Sequence, residues 1–378
     1  MERCRFYAFA CVLVFVASVC ADEPKKSFVC PPAAMQPFWL SNTMYGESVL
    51  FLQEDPNGRP SAAVFYRPTK ILSVKGSSGE VSYEEGKDYV WNPESSKITL
   101  PVGSRIPFKK PQDLRRTPGS QPYRLTHRDG NGEILFGGGH EYHDMQTVIT
   151  YEHSPEKWAA PVPTFAGDQL PNTMKLLAEK KPLTIGLLGD SISTGCNASG
   201  CVNTVPFQPA YFDLFAQRLE SAYGSKVTLK NFSVGGMASN WGLQNVGRVM
   251  EIKPDLVIVA FGMNDAAGIP PAQYQENIRQ TIAAIHAANP KTEVILVATM
   301  LANDGWITLH HDFFPQFRDG LQKLATKGVV VADMTSIWME LMKRKKDWDM
   351  TGNGVNHPND FGHRIYAQVL STLLIRNP

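Results

Sequence analysis

Four short segments of this 378-residue sequence carry side chains able to do chemistry together. Gly189-Asp190-Ser191-Ile192 offers a hydroxyl that becomes a nucleophile when a base takes its proton. Asn231-Phe232-Ser233-Val234-Gly235-Gly236 offers glycines, whose backbone N–H groups can approach a reacting oxygen with no side chain in the way. Gly262-Met263-Asn264-Asp265 offers a carboxamide that can donate to a developing oxyanion. Asn356-His357-Pro358-Asn359 offers an imidazole that can serve as general base. Each segment taken alone also has a plain structural role. Gly-Asp-Ser and the Gly-Gly pair make turns, Asn264 can cap a helix, and a lone His is commonly a surface loop residue.

The elements around these segments give them a common place. Leu183 to Leu188, Val227 to Phe232, Leu256 to Phe261, Val294 to Thr299 and Val329 to Asp333 read as short apolar strands. Gln208 to Tyr223, Pro271 to Ala288, Phe314 to Thr326 and Asp360 to Leu374 read as helices. Strands alternating with helices imply a parallel sheet covered on both faces, with its site at the carboxyl ends of the strands. Ser191, Gly236 and Asn264 each follow a strand, and His357 precedes the last helix.

Four such segments in this order resemble the four blocks of the SGNH (GDSL-type) hydrolase superfamily, over about residues 181–378. The resemblance implies a flavodoxin-like three-layer α/β sandwich with a five-stranded parallel sheet. It implies Ser191 as nucleophile and His357 as base. It implies an oxyanion hole made by the Ser191 and Gly236 N–H groups and the Asn264 side chain, and ester hydrolysis with no cofactor. One position departs from the family. The Asp usually found three residues before the catalytic His, where it orients the ring, is Gly354 here. The expectation is a Ser-His dyad with a main-chain oxygen near Gly354 holding His357, and Asp333, Asp349 and Asn353 as side-chain candidates for the same task.

Ahead of this region, residues 28–153 read as an all-β sandwich domain of short strands and close turns, with a hairpin at Asn92-Pro93-Glu94-Ser95. Residues 154–180 read as a proline-interrupted linker in which only Asn172 to Lys180 suits a helix. Arg3 and Arg5 followed by the apolar run Phe6 to Val19 predict a secretory signal peptide, residues 1–21, and hence an exported protein with no membrane span in the mature chain. An oxidising destination makes a Cys196–Cys201 disulfide an expectation. Lys+Arg 37 against Asp+Glu 36, with no charge run, gives no sign of a nucleic-acid partner. His310-His311-Asp312 has the residue types of a metal site but no evident third ligand, and no metal is expected there. Gly137-Gly138-Gly139-His140 with His143 is read as a turn, with a lip of the site as the alternative. A β-sandwich ahead of the hydrolase resembles exported bacterial carbohydrate esterases. The expected substrate is therefore a short-chain (acetyl) ester on carbohydrate or another small ester. A lipase or lysophospholipase, and a carbohydrate-binding protein with a vestigial hydrolase domain, are the alternatives.

Overall fold

The computed structural model describes residues 28–156 and 158–376. The segment read as a signal peptide, with Cys4, Cys11 and Cys20, lies outside them. Leu183–Gly189 is apolar and buried along nearly its whole length, as a strand covered on both faces must be. Val227–Asn231, Leu256–Ala260, Glu293–Ala298 and Val329–Asp333 run parallel to it. Across the sheet the order is Val227–Asn231, Leu183–Gly189, Leu256–Ala260, Glu293–Ala298, Val329–Asp333. This is the flavodoxin-like order expected from the sequence. It reverses direction between Leu183–Gly189 and Leu256–Ala260, and ligands of such sheets bind beyond the carboxyl ends at that reversal.

Helices close both faces. Tyr211–Tyr223 packs with Asp360–Leu374, while Ser239–Met250 packs with Pro271–Ala288 and that helix with Phe313–Leu324. Asp360–Leu374 is buried on nearly all sides, and the Asn359 side chain caps it by accepting the Gly362 N–H at 3.1 Å. His357 therefore sits immediately before a fixed helix start.

The N-terminal region is strand-rich, as expected. Thr43–Val49, Thr147–His153 and Pro68–Gly76 form a three-stranded antiparallel sheet with Thr147–His153 central. Shorter strands make a second sheet, in which Val90–Trp91 and Lys97–Thr99 pair as the expected hairpin. A short helix, Glu141–Met145, was not foreseen. Met44, Val74, Ile149 and Tyr151 of this region belong to the same buried apolar cluster as Leu187, Val257 and Leu370, so the two regions share one core. No helix among the described residues is long and apolar enough to cross a membrane.

Candidate active site

Ser191 lies two residues past the end of Leu183–Gly189, at the head of a run of turns to Asn197. Gly189 suits this bend: a Cβ there would meet Ser193 Oγ at 2.5 Å and the Ala260 carbonyl oxygen at 2.7 Å. The neighbouring Asp190 is buried and accepts the Ile192 N–H at 3.0 Å. Burial pushes its pKa up to about 7, with the nearby Asp265 adding to the rise.

The His357 ring stands between two side chains. Nε2 lies 2.9 Å from Ser191 Oγ, and Nδ1 lies 2.8 Å from Asn197 Oδ1. Ser191 is 3% and His357 8% exposed, so this chain of hydrogen bonds is sheltered from water. Burial, with a smaller contribution from the neighbouring His363, lowers the His357 pKa to about 3. The ring is therefore neutral at physiological pH, the state a base needs.

The expected main-chain partner near Gly354 is not what the structure shows. The Gly354 carbonyl accepts from Asn303 Nδ2 at 2.8 Å, and the group at His357 Nδ1 is the Asn197 carboxamide. The three side-chain candidates are engaged elsewhere. Asp333 caps a helix, accepting the Ser336 N–H at 2.8 Å. Asp349 accepts the Leu50 N–H at 2.8 Å. Asn353 acts on the loop rather than on the ring: its Oδ1 accepts the N–H groups of Val355 at 2.9 Å, Asn356 at 2.9 Å and His357 at 3.1 Å. Gly354 has φ +79°, and a Cβ there would lie 2.1 Å from Tyr142 Oη and 2.7 Å from the Leu135 carbonyl oxygen. No side chain fits at the position where the family carries its Asp.

Asn197 was missed in the sequence. It sits at φ +63°, a backbone region that Asn tolerates better than most residues. Its Nδ2 donates to the carbonyls of Gly137 at 3.3 Å, Gly139 at 3.1 Å and Gly352 at 3.1 Å. The Gly137–Gly139 segment, read from sequence as a turn, thus reaches within one side chain of His357. The alternative reading, a lip of the site, describes its place better.

The proposed oxyanion donors are tied to the same turn. The Val234 N–H donates to the Gly189 carbonyl at 3.1 Å, and Asn231 Nδ2 donates to the Ser193 carbonyl at 2.7 Å. Both bonds hold the Gly236 loop against the Ser191 turn. Gly236 adopts φ +78°, and the space its Cβ would occupy is open. Asn264 Nδ2 donates to the Met237 carbonyl at 3.0 Å, which fixes that carboxamide beside the Gly236 loop. Asp265 anchors the start of the Ser239–Met250 helix by accepting the Ser239 N–H at 3.0 Å.

The side chains of the remaining singled-out residues have other partners. His310 stacks on Phe313 with ring centroids 4.6 Å apart, and His311 Nε2 lies 2.9 Å from the Trp306 carbonyl oxygen. Among the described residues no group of three or more His, Cys, Asp or Glu is arranged to hold a metal ion. His140 Nδ1 lies 2.7 Å from Asp144, and His143 Nε2 lies 2.7 Å from the Val205 carbonyl oxygen. Cys196 and Cys201 are not joined to each other in the expected disulfide, and Cys196 Sγ lies 3.3 Å from Thr194 Oγ1.

Residues 187–365 match the GDSL-like Lipase/Acylhydrolase family. No curated protein matches the chain. Among solved structures, a two-domain esterase active on acetylated mannans, co-crystallized with mannopentaose, is 22% identical with a TM-score of 0.44; the match covers 55% of this chain and 52% of that one. The chain thus spans about half the length of that esterase. A mutant of an acetyl-xylooligosaccharide esterase from Geobacillus Stearmophilus is 17% identical with a TM-score of 0.42, over 50% of this chain and 91% of that one. A lipase from a goat rumen metagenome is 18% identical with a TM-score of 0.41, over 50% of this chain and 95% of that one.

Proposed function

Because residues 187–365 match the GDSL-like Lipase/Acylhydrolase family, we propose that the chain is a serine esterase with Ser191 as nucleophile and His357 as general base. The observation that carries this reading is the His357 ring, bonded at Nε2 to Ser191 Oγ and at Nδ1 to a side-chain oxygen. That is the arrangement of an activated nucleophile whose base is itself oriented by a third group. His357 Nε2 takes the Ser191 proton as Oγ attacks the acyl carbonyl. The Ser191 and Gly236 N–H groups and Asn264 Nδ2 stabilise the oxyanion. The imidazolium then gives its proton to the leaving alcohol, which departs as the C–O bond breaks. Water, deprotonated by His357, attacks the acyl-serine carbonyl; the bond to Ser191 Oγ breaks as Oγ takes that proton back from His357, and the acid is released.

The proposed substrate is an acetyl ester on carbohydrate. The support for it is architectural: a strand-rich region stands ahead of the hydrolase fold and shares its core. Export after removal of residues 1–21 belongs to the same proposal, since polymeric glycans are met outside the cell.

The test is a panel of p-nitrophenyl acetate, p-nitrophenyl palmitate, acetylated mannan and acetylated xylooligosaccharides, run with wild type and Ser191→Ala. Release of acetate from the glycans, lost in Ser191→Ala with its fold intact, is the expected result. A preference of tenfold or more in kcat/KM for the long chain would replace the substrate with a lipid. No turnover on any ester, with no labelling of Ser191 by a fluorophosphonate, would reduce the chain to a binding protein with a vestigial hydrolase domain.

A further inference from the structure

Asn197 lies outside the four segments that carry the chemistry, yet it holds the far side of the catalytic imidazole. We infer that the N-terminal strand-rich region selects the working tautomer of His357, using Asn197 as the intermediary. The inference rests on the esterase reading for its consequence, and on the hydrogen bonds alone for its geometry.

A carboxamide has one end that only accepts and one that only donates. Which end faces a neighbour is decided by the whole network around it. One end of Asn197 faces three carbonyl oxygens, those of Gly137, Gly139 and Gly352. Carbonyls only accept, so that end must be Nδ2. Oδ1 then faces His357 at 2.8 Å and can only accept, so Nδ1 must carry the ring proton. Nε2 is left bare toward Ser191 Oγ at 2.9 Å, which is the form that can take the hydroxyl proton. Two of the three carbonyls that force this outcome belong to the N-terminal region.

The same region excludes the usual solution. Tyr142 and Leu135 fill the space beside Gly354, so a carboxylate cannot be carried there. A carboxylate at position 197 would turn one oxygen toward three carbonyl oxygens, with no donor between them. A neutral carboxamide is the group this pocket accepts. The segment is also held in place. The Gly137 N–H donates to the Asn353 carbonyl at 3.1 Å, and the Gly139 N–H donates to Glu141 Oε2 at 2.8 Å. Tyr142 Oη donates to the Leu135 carbonyl at 3.1 Å. Asn197 is thus a positioning residue, and the glycine segment from residue 137 to 139 is its template.

The experiment uses the full chain with ¹⁵N-labelled histidine, His357 signals being assigned by their loss in His357→Gln. Wild type should show His357 protonated at Nδ1 and bare at Nε2 at neutral pH. Asn197→Ala should convert it to a tautomer mixture and lower kcat by about 10²–10⁴-fold, with KM within about threefold. Asn197→Asp should not recover wild-type activity and should stay at least about tenfold below it near pH 7, because its carboxylate faces carbonyl oxygens. Gly137→Val crowds Tyr142, since even a Cβ at residue 137 would lie 2.9 Å from that ring. It should loosen the tautomer with Asn197 intact. Glu141→Gln, which weakens the bond to the Gly139 N–H, is the milder second variant should Gly137→Val fail to fold. An unchanged Nδ1–H tautomer in folded Asn197→Ala, or in the folded segment variants, overturns the inference. So does an Asn197→Asp enzyme as fast as wild type. Activity retained in Ser191→Ala would instead overturn the esterase reading, while the tautomer result would still report on Asn197.

Discussion

Burial of the His357 ring lowers its pKa to about 3, and the partner at Nδ1 is a neutral carboxamide that does not restore it. A general base works only when unprotonated, and the acid limb of kcat/KM reports that ionisation in the free enzyme. The ordinary histidine value is about 6.5. With the folded value lower, His357 stays neutral as pH falls through 6.5, and activity is lost only well below it. The expected profile of kcat/KM is flat from pH 8 to below pH 5, measured in short assays with recovery of activity on neutralisation as a check for unfolding. A half-maximal point near pH 6.5 would show that the site is wetter than the structure has it, or that the base carries a charged partner. At this scale the sequence revealed the residues that stand at strand ends. Ser191, Gly236 and Asn264 each follow a strand, and His357 precedes a helix. Asn197 was hidden for a physical reason: its ring partner is 160 positions away, and its orientation is set by backbone carbonyls, which every residue type possesses.

Gly354 shows how one element controls another. Its φ of +79° lies in the region that favours glycine, and Tyr142 Oη stands 2.1 Å from where its Cβ would be. Gly354→Ala should therefore displace the loop from Thr351 to His357, lowering kcat by about 10²-fold or more, the scale associated with small misplacements of a catalytic group. Gly354→Asp, which rebuilds the familiar acid in sequence, should be at least as damaging. An increase in kcat for Gly354→Asp would mean that Tyr142 yields and that the acid was dispensable only by default. Asp333→Ala is the contrasting variant. It removes a cap from the Met334–Leu341 helix, costing about 1 kcal/mol in a urea titration with esterase activity retained. Element boundaries were legible where amphipathic spacing was strong and the ends were marked. Pro271–Ala288 begins on a proline in its first turn, and Asp360–Leu374 begins on the Asn359 cap. Ser239–Met250 was not read at all. It contains Gly242 and Gly247, which lower helix propensity, and its support is tertiary. Asp265 holds its first N–H, and Gly242 gives room to Phe261, whose ring would lie 2.3 Å from a Cβ there.

The two regions are joined by more than a linker, because the polar contacts around Asn197 are matched by a buried charge pair at the other end of the same loop. Lys345 and Glu47 are both fully buried, with Nζ 2.6 Å from Glu47 Oε1. Nζ also donates to the Ser48 carbonyl at 2.9 Å. Glu47 accepts the Phe65 N–H at 2.8 Å and Tyr151 Oη at 2.6 Å. Strands of the N-terminal region thus hold the segment that leads, twelve residues later, to His357. Removing one member of a buried, well-bonded pair leaves the other charge without compensation, at a cost of roughly 3–5 kcal/mol. Lys345→Met should therefore lower stability by roughly that amount. The shared apolar core determines the form of the effect: cluster members run from Met35 to Ile375, so the two regions should unfold together. Calorimetry of wild type is expected to show one transition, and Lys345→Met should move that whole transition downward. Combining it with Glu47→Leu, which removes one of the two carboxylates left stranded (the other is Asp349, 3.8 Å from Lys345 Nζ), should recover part of the loss. Two separate transitions in wild type, with only the N-terminal one moved by Lys345→Met, would show that the hydrolase fold stands alone and that the pair fastens on a separable domain.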